Sequence, residues 1–209
     1  MTRSRNGPDP RTPTGPDLDL SFDPDFVDPV RADEWFKILD GTIPWRQESI
    51  RLFGRTVLVP RLQSWHGDPG STYRYSGLLL EPVAWTPLLA AIRTEVEQVV
   101  GGAPFDSVLV NLYRDGEDSM GWHSDDEPEL GAEPEIASVS LGATRTFQLR
   151  HRTRRDLDRI DLDLTPGSLL VMRGKTQECW QHALPKRRGK RAPGPRINLT
   201  FRRILRAPR

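Results

Sequence analysis

The 209-residue sequence predicts a mainly β, α+β protein: an antiparallel barrel or jelly roll with helices on one side. Three observations predict it. Two helix-start signatures lie in the first half of the chain, at least six short strand-like runs are separated by turn residues, and the last of those runs alternates strictly between polar and apolar residues.

In chain order, residues 1–20 carry four prolines, two glycines and almost nothing apolar before Leu18, and read as a disordered tail. Residues 21–209 read as a single domain. Asp28-Pro29 offers an N-cap and a first-turn proline, and Val30 to Leu39 follow with a short amphipathic pattern that ends near Gly41. Thr86-Pro87 repeats the signature. Leu88, Leu89, Ile92, Val96 and Val99 then recur at helical spacing until Gly101-Gly102. The strand-like runs are Arg51 to Val59, Val108 to Tyr113, Ile136 to Leu141, Arg145 to Arg150, Ser168 to Met172 and Arg196 to Ile204. Asp115-Gly116, Gly142, Pro166-Gly167, Gly174 and Gly194-Pro195 punctuate them.

Composition narrows the class of protein. Hydrophobic residues make up 36% of the chain, low but sufficient for one core. A single cysteine, Cys179, excludes an internal disulfide and a four-cysteine zinc site. Apolar runs such as Gly77 to Leu80 fall far short of the roughly 20 residues that span a bilayer. No signal-peptide pattern is visible, and a soluble intracellular protein without membrane contact is expected. The net charge of +1 hides segregation. Nine acidic residues lie between Asp115 and Glu135, ten basic ones and no acid between Lys186 and Arg209, and Arg150, Arg152, Arg154 and Arg155 form a further cluster. Either one face is strongly positive, or 26 arginines against four lysines reflect coding bias.

Two strands bear on function. Alternation sets Asn111 and Tyr113 on one face, opposite Val108, Val110 and Leu112. In the last strand, Arg196, Asn198, Thr200 and Arg202 share one face, and Ile197, Leu199 and Phe201 the other. A polar face turned to solvent explains this pattern. Turned inward, the same face would build a site for a small anion, because guanidinium forks match carboxylates. Among four histidines, His66 and His151 sit in polar or basic surroundings and are expected at the surface or facing substrate. His123 and Asp125, two apart on an extended segment, project to one side, and His182 follows 57 residues after Asp125. Two imidazoles and a carboxylate leave three positions open on an ion, the arrangement of non-haem Fe(II) oxygenases. A polar turn and a strand-end histidine are the alternative.

The stretch from Asn111 to Ile204 resembles the AlkB family of Fe(II)/2-oxoglutarate-dependent nucleic-acid demethylases. The matching residues are Asn111-x-Tyr113, Asp115-Gly116, His123-x-Asp125-Asp126-Glu127, Ile136 to Gly142, Pro166 to Leu170, His182-x-Leu184-Pro185 and Pro195 to Arg202. Phe53-Gly54 through Pro60-Arg61, and Tyr73-x-Tyr75-Ser76-Gly77, resemble the branch that repairs DNA in animals. The resemblance covers roughly residues 50–205.

It implies a double-stranded β-helix core over 105–205, with helices and a nucleotide-recognition lid over 21–104. It implies Fe(II) on His123, Asp125 and His182, with 2-oxoglutarate and O2 as cosubstrates. Arg196, helped by Tyr113 and Asn111, would take the distal carboxylate of 2-oxoglutarate. Asn198, Thr200 and Arg202 would hold the cosubstrate nearer the metal. The implied reaction is oxidative demethylation of N-alkylated bases such as 1-methyladenine and 3-methylcytosine in DNA, with the base flipped and formaldehyde released. Phe53 beside Gly54 would act as a wedge filling the gap of the flipped base. Arg61 would reach phosphates or the partner base, and Tyr73 and Ser76 would belong to the lid. Asp126 and Glu127 would face the cationic base, with Trp122 as a stacking or packing surface. The expected partner is alkylated DNA, RNA being the alternative, bound by a monomer. The expected location is the cytoplasm beside the nucleoid in a bacterium, and the nucleus in a eukaryote. An oxygenase of another substrate and a non-catalytic nucleic-acid binder are the competing readings.

Overall fold

A computed structural model describes residues 11–52, 54–75, 78–189 and 192–205. Two antiparallel sheets face each other. The larger has six strands: β1 (Asp19–Asp23), β12 (Leu169–Arg173), β9 (Ile136–Gly142), β14 (Arg196–Arg202), β7 (Ser107–Tyr113) and β4 (Leu62–Gly67), in that spatial order. The smaller has four: β11 (Ile160–Leu164), β10 (Arg145–His151), β13 (Trp180–Leu184) and β8 (Met120–His123). Two hairpins, β2–β3 (Ser49–Leu52, Arg55–Leu58) and β5–β6 (Tyr73–Tyr75, Leu78–Leu80), form separate two-stranded sheets.

The helices form where their caps predict. In α1 (Pro29–Thr42), the Asp28 carboxylate accepts the backbone N–H groups of Val30 and Arg31, and Ala32, Trp35 and Leu39 are buried. In α2 (Pro87–Val100), the Thr86 hydroxyl accepts the N–H of Leu89, and Leu89, Ile92 and Val96 are buried. These stripes pack on the outer face of the large sheet, against Val108, Val110 and Leu112 of β7, Val139 of β9 and Ile197, Leu199 and Phe201 of β14. Complete burial of each such side chain contributes about 1.5–3 kcal/mol.

That packing decides which way β14 faces. Its apolar residues lie under the helices, so Arg196, Asn198, Thr200 and Arg202 point between the two sheets, and all seven residues of the strand are buried. A second apolar cluster, with Phe22, Ile136, Leu162, Leu164, Leu170 and Met172, lies elsewhere in the fold.

Three expectations are corrected. The disordered tail does not extend to residue 20: β1 pairs with β12 from Asp19↔Arg173 to Asp23↔Leu169, and the Thr12 hydroxyl accepts the N–H of Phe22. Leu20 and Phe22 supply the alternating apolar residues that hold this edge. Residues 1–10 lie outside the described residues. The jelly roll is not confined to 105–205, because β1 and β4 from the earlier part of the chain are members of the large sheet. The single run Arg51 to Val59 is a hairpin, turned at Gly54, whose φ of 77° suits glycine. The strands β1, β4, β5, β6, β8, β11 and β13 are not among the six predicted runs.

Gly142 closes β9 with φ at 80°, and a Cβ there would meet the Pro195 carbonyl at 2.5 Å and the Phe36 ring at 2.8 Å. Gly142→Ala is expected to destabilise the fold by more than ~1 kcal/mol, read as a lower midpoint in urea.

Candidate metal centre and anion pocket

One pocket between the sheets is lined by both predicted sets of residues, including His123, Asp125, His182, Tyr113, Arg196 and Arg202. His123 and His182 are register partners on β8 and β13, with ring centroids 4.2 Å apart. Asp125 follows β8. One donor atom from each of the three lies within 4.8 Å of the others.

Hydrogen bonds orient each group. His123 Nδ1 donates to the Gly121 carbonyl at 2.8 Å, which leaves the Nε2 lone pair for a ligand. Asp125 Oδ2 accepts from Arg202 at 2.7 Å, while Oδ1 is buried and accepts no hydrogen bond. Burial opposes the Asp125 charge, but Arg202 and the two histidines outweigh it and hold the carboxyl at about 2. Burial, with His123 and then Arg202 adding to it, keeps His182 neutral down to about 3. Burial also lowers His123. At neutral pH the cluster offers two neutral imidazoles and a carboxylate, a donor set that fits Fe(II).

A second trio, Asp17, His151 and Cys179, also places its donor atoms within 4.8 Å. There His151 Nδ1 accepts the N–H of Arg154 at 3.0 Å. The proton is thereby assigned to Nε2, so the ring offers the cluster a donor and not a lone pair. The two trios have similar spacing and opposite imidazole chemistry.

The anion half centres on Arg196, which is 2% exposed. It donates to the Ser140 hydroxyl at 2.9 Å and lies over the Tyr113 ring at 5.4 Å. Its Nε has no partner, and among the described residues no carboxylate forms an ion pair with it. Burial lowers its pKa to about 10, so it remains a cation at pH 7. Asn198 donates to the Ser138 hydroxyl at 2.7 Å and accepts from Thr200 at 3.0 Å. Arg202 is turned to Asp125 and not only to the cosubstrate space.

Several predicted residues stand elsewhere. Arg61 is buried, and its Nε donates to Asn111 Oδ1 at 2.8 Å, so it braces the Asn111 strand and does not reach out to phosphates. Trp122 lies under the Arg150 guanidinium at 4.3 Å, and Arg150 also donates twice to Gln181; none of the three lines the pocket. Asp126 is exposed and paired with Arg152 at 2.8 Å. Glu127 is half-buried and precedes the short turn Pro128–Leu130. Gly54 is at a hairpin tip. Tyr73 belongs to β5, while Phe53 and Ser76 lie outside the described residues. His66 and His151 are buried, not at the surface: His66 bonds Ser64 and the Ala84 carbonyl, and His151 packs edge-on against Trp180.

The basic clusters carry partners of their own. Arg154 pairs with Asp156, and Lys186 and Arg188 pair with Glu117. Exposed pairs of this kind contribute little to stability and open readily to a competing phosphate.

Sequence reasoning missed Arg145 and Gln177. Arg145 is buried beside Tyr113 and donates to the carbonyls of Asp115, Asp118 and Pro185. Gln177 accepts the N–H of Asp125. Neither belongs to an alternating polar face, the signal that exposed Arg196.

Comparison with known proteins agrees with this geometry. The model of the 2OG-Fe(II) oxygenase superfamily matches residues 19–202. The chain is 44% identical over 185 residues to mouse "DNA oxidative demethylase ALKBH2", covering 84% of this chain and 76% of that protein. It is 42% identical over 194 residues to the bovine "Alpha-ketoglutarate-dependent dioxygenase alkB homolog 3", covering 89% of this chain and 66% of that protein. The solved structure of OsALKBH1 shares the fold, with a TM-score of 0.60 at 22% identity over 91% of this chain and 99% of that one. The chain belongs to the 2OG-Fe(II) oxygenase superfamily and, within it, to the AlkB family. Among the described residues, no helix is long and apolar enough to cross a membrane.

Proposed function

We propose that this chain is an Fe(II)- and 2-oxoglutarate-dependent dioxygenase that removes methyl groups from N-alkylated bases such as 1-methyladenine and 3-methylcytosine in DNA. The observation that supports it most is the single pocket that joins a three-donor cluster, with Asp125 Oδ1 left without a hydrogen bond, to a buried Arg196 lacking a carboxylate partner among the described residues. A buried guanidinium calls for an anion, and a dicarboxylate cosubstrate provides one.

His123, Asp125 and His182 hold the metal. Arg196, with Tyr113 and Asn111 beside it, takes the distal carboxylate, and Asn198 and Thr200 line the space between. Arg202 fixes Asp125 through Oδ2. Bound iron supplies the oxidation of the substrate methyl carbon by O2, coupled to conversion of 2-oxoglutarate to succinate and CO2. The hydroxymethyl product then releases formaldehyde. The enclosed site requires the base to leave the stack, and a methylated Watson–Crick edge lowers the cost of extrusion. The relatives named as DNA oxidative demethylases support DNA as the partner.

The test is product mass after incubation with Fe(II), 2-oxoglutarate and an oligonucleotide carrying one 1-methyladenine, as single strand, duplex and RNA. Loss of the methyl group from DNA in the wild type, and not in His182→Ala, is the expected result. Succinate without loss of the methyl group from any strand would overturn the substrate. Neither product, in protein shown to hold iron, would overturn the enzyme. Binding to DNA is expected to weaken steeply with salt as released counterions are counted.

A further inference from the structure

We propose that Gln177 is a positioning residue for the metal ligand Asp125, an inference that rests on the iron-site reading above. Asp125 lies beyond the end of β8, where no ladder partner fixes its backbone. Its N–H instead donates to Gln177 Oε1 at 2.9 Å. Gln177 is 1% exposed and sits on the four-residue helix α3 (Thr176–Cys179), directly before the strand that carries His182. Its Nε2 donates to the Met172 sulfur at 3.3 Å, which sets the direction of the amide: the oxygen faces Asp125.

The segment around Asp125 is bracketed on both sides. Ser124 Oγ donates to the Trp180 carbonyl at 2.9 Å, and Arg152 joins Asp126 to the Glu178 carbonyl. The bracket is itself anchored. The Thr176 hydroxyl accepts the N–H of Asp19 at 2.9 Å and faces its carbonyl at 3.2 Å, and the Trp180 indole donates to the Pro16 carbonyl at 2.9 Å.

With Gln177 holding the backbone and Arg202 holding Oδ2, Asp125 has one conformation open to it, and Oδ1 alone remains to take a metal. Without the Gln177 acceptor, a buried N–H loses its partner and the carboxylate gains freedom that metal binding must then remove. Gln177 touches neither metal nor substrate, so its effect appears in how well the ligand set is organised.

The experiment titrates the metal-free full chain with Co(II) and follows the visible d–d absorption. The wild type is expected to bind, and His182→Ala to bind poorly; if the wild type shows no Co(II) site, the iron-site reading falls and this inference with it. Gln177→Met, which keeps length and loses the acceptor, is expected to lower Co(II) affinity by about 10- to 100-fold and to alter the band shape. Gln177→Glu also loses the sulfur contact but keeps an oxygen for the Asp125 N–H, and is expected to retain affinity within about 10-fold of wild type on the same scale. Gln177→Glu buries an acid, so its metal-free unfolding midpoint is expected to lie below that of Gln177→Met, and a loss of Co(II) affinity that merely followed stability would fall on Glu and not on Met. If Gln177→Met binds Co(II) like wild type, or if Met and Glu fall equally, the positioning role is overturned. Should Gln177→Met fail to fold, Gln177→Asn, polar but too short to reach the N–H, replaces it under the same criteria.

Discussion

Arg196→Met is expected to raise the KM for 2-oxoglutarate by about 100-fold or more while leaving the ligand-free chain at least as stable as wild type. The two effects have one cause. Arg196 is buried, its Nε has no partner, and no carboxylate among the described residues forms an ion pair with it. In the ligand-free chain, methionine removes a desolvated cation and keeps most of the apolar stem, a change that is neutral or stabilising. Once 2-oxoglutarate binds, the same guanidinium makes a buried, hydrogen-bonded charge pair, and truncating one partner of such a pair costs ~2–5 kcal/mol. Succinate formation against 2-oxoglutarate concentration gives the first number, and thermal unfolding with and without 2-oxoglutarate gives the second. An unchanged KM would remove Arg196 from the cosubstrate site. A large loss of stability in the ligand-free variant would show that Arg196 serves the fold.

Asp125→Ala is expected to abolish demethylation and, unlike Arg196→Met, to destabilise the chain. Its partner Arg202 is buried and would lose the carboxylate to which it donates at 2.7 Å. Breaking a buried pair from one side costs ~3–5 kcal/mol. His182→Ala removes a metal ligand but leaves that pair intact, so comparing the two variants without metal isolates the ion pair from the metal. pH gives an independent check. Asp125 titrates at about 2 in the folded chain, below the ordinary carboxylate value. A depressed carboxylate stabilises the fold above its unfolded pKa and loses that contribution as pH falls through the folded value. The stability deficit of Asp125→Ala is therefore expected to be full at pH 7 and to shrink between about pH 4 and 2. A deficit that does not change with pH would assign the loss to packing.

Local signals in the sequence determined both long helices. Asp28-Pro29 and Thr86-Pro87 satisfy first-turn donors whatever the rest of the chain does, and α1 and α2 start at Pro29 and Pro87. Period-two alternation likewise determined which residues of β7 and β14 share a face. Alternation cannot say which face meets water. That was decided by α1 and α2, which cover the apolar face of β14 and leave its arginines between two sheets.

The same limit explains the residues that moved. Arg61 reads as a surface cation in sequence, yet β4 is a member of the large sheet, and that pairing places Arg61 against Asn111. The proline content of residues 1–20 speaks for a free chain, whereas β1 has an edge, β12, to pair with. Gln177 and Arg145 carry no local signature, because their partners are 52 residues away at Asp125, and 27 and 40 away at Asp118 and Pro185. His123, Asp125 and His182 were legible as types and spacing. Their lone pairs, and the contrast with Asp17, His151 and Cys179, came only from tertiary hydrogen bonds. Residue types and spacing name the donors and cations the chain owns; the fold decides which of them are stripped of water and turned toward one another, since desolvation and tautomer depend on neighbours distant in sequence.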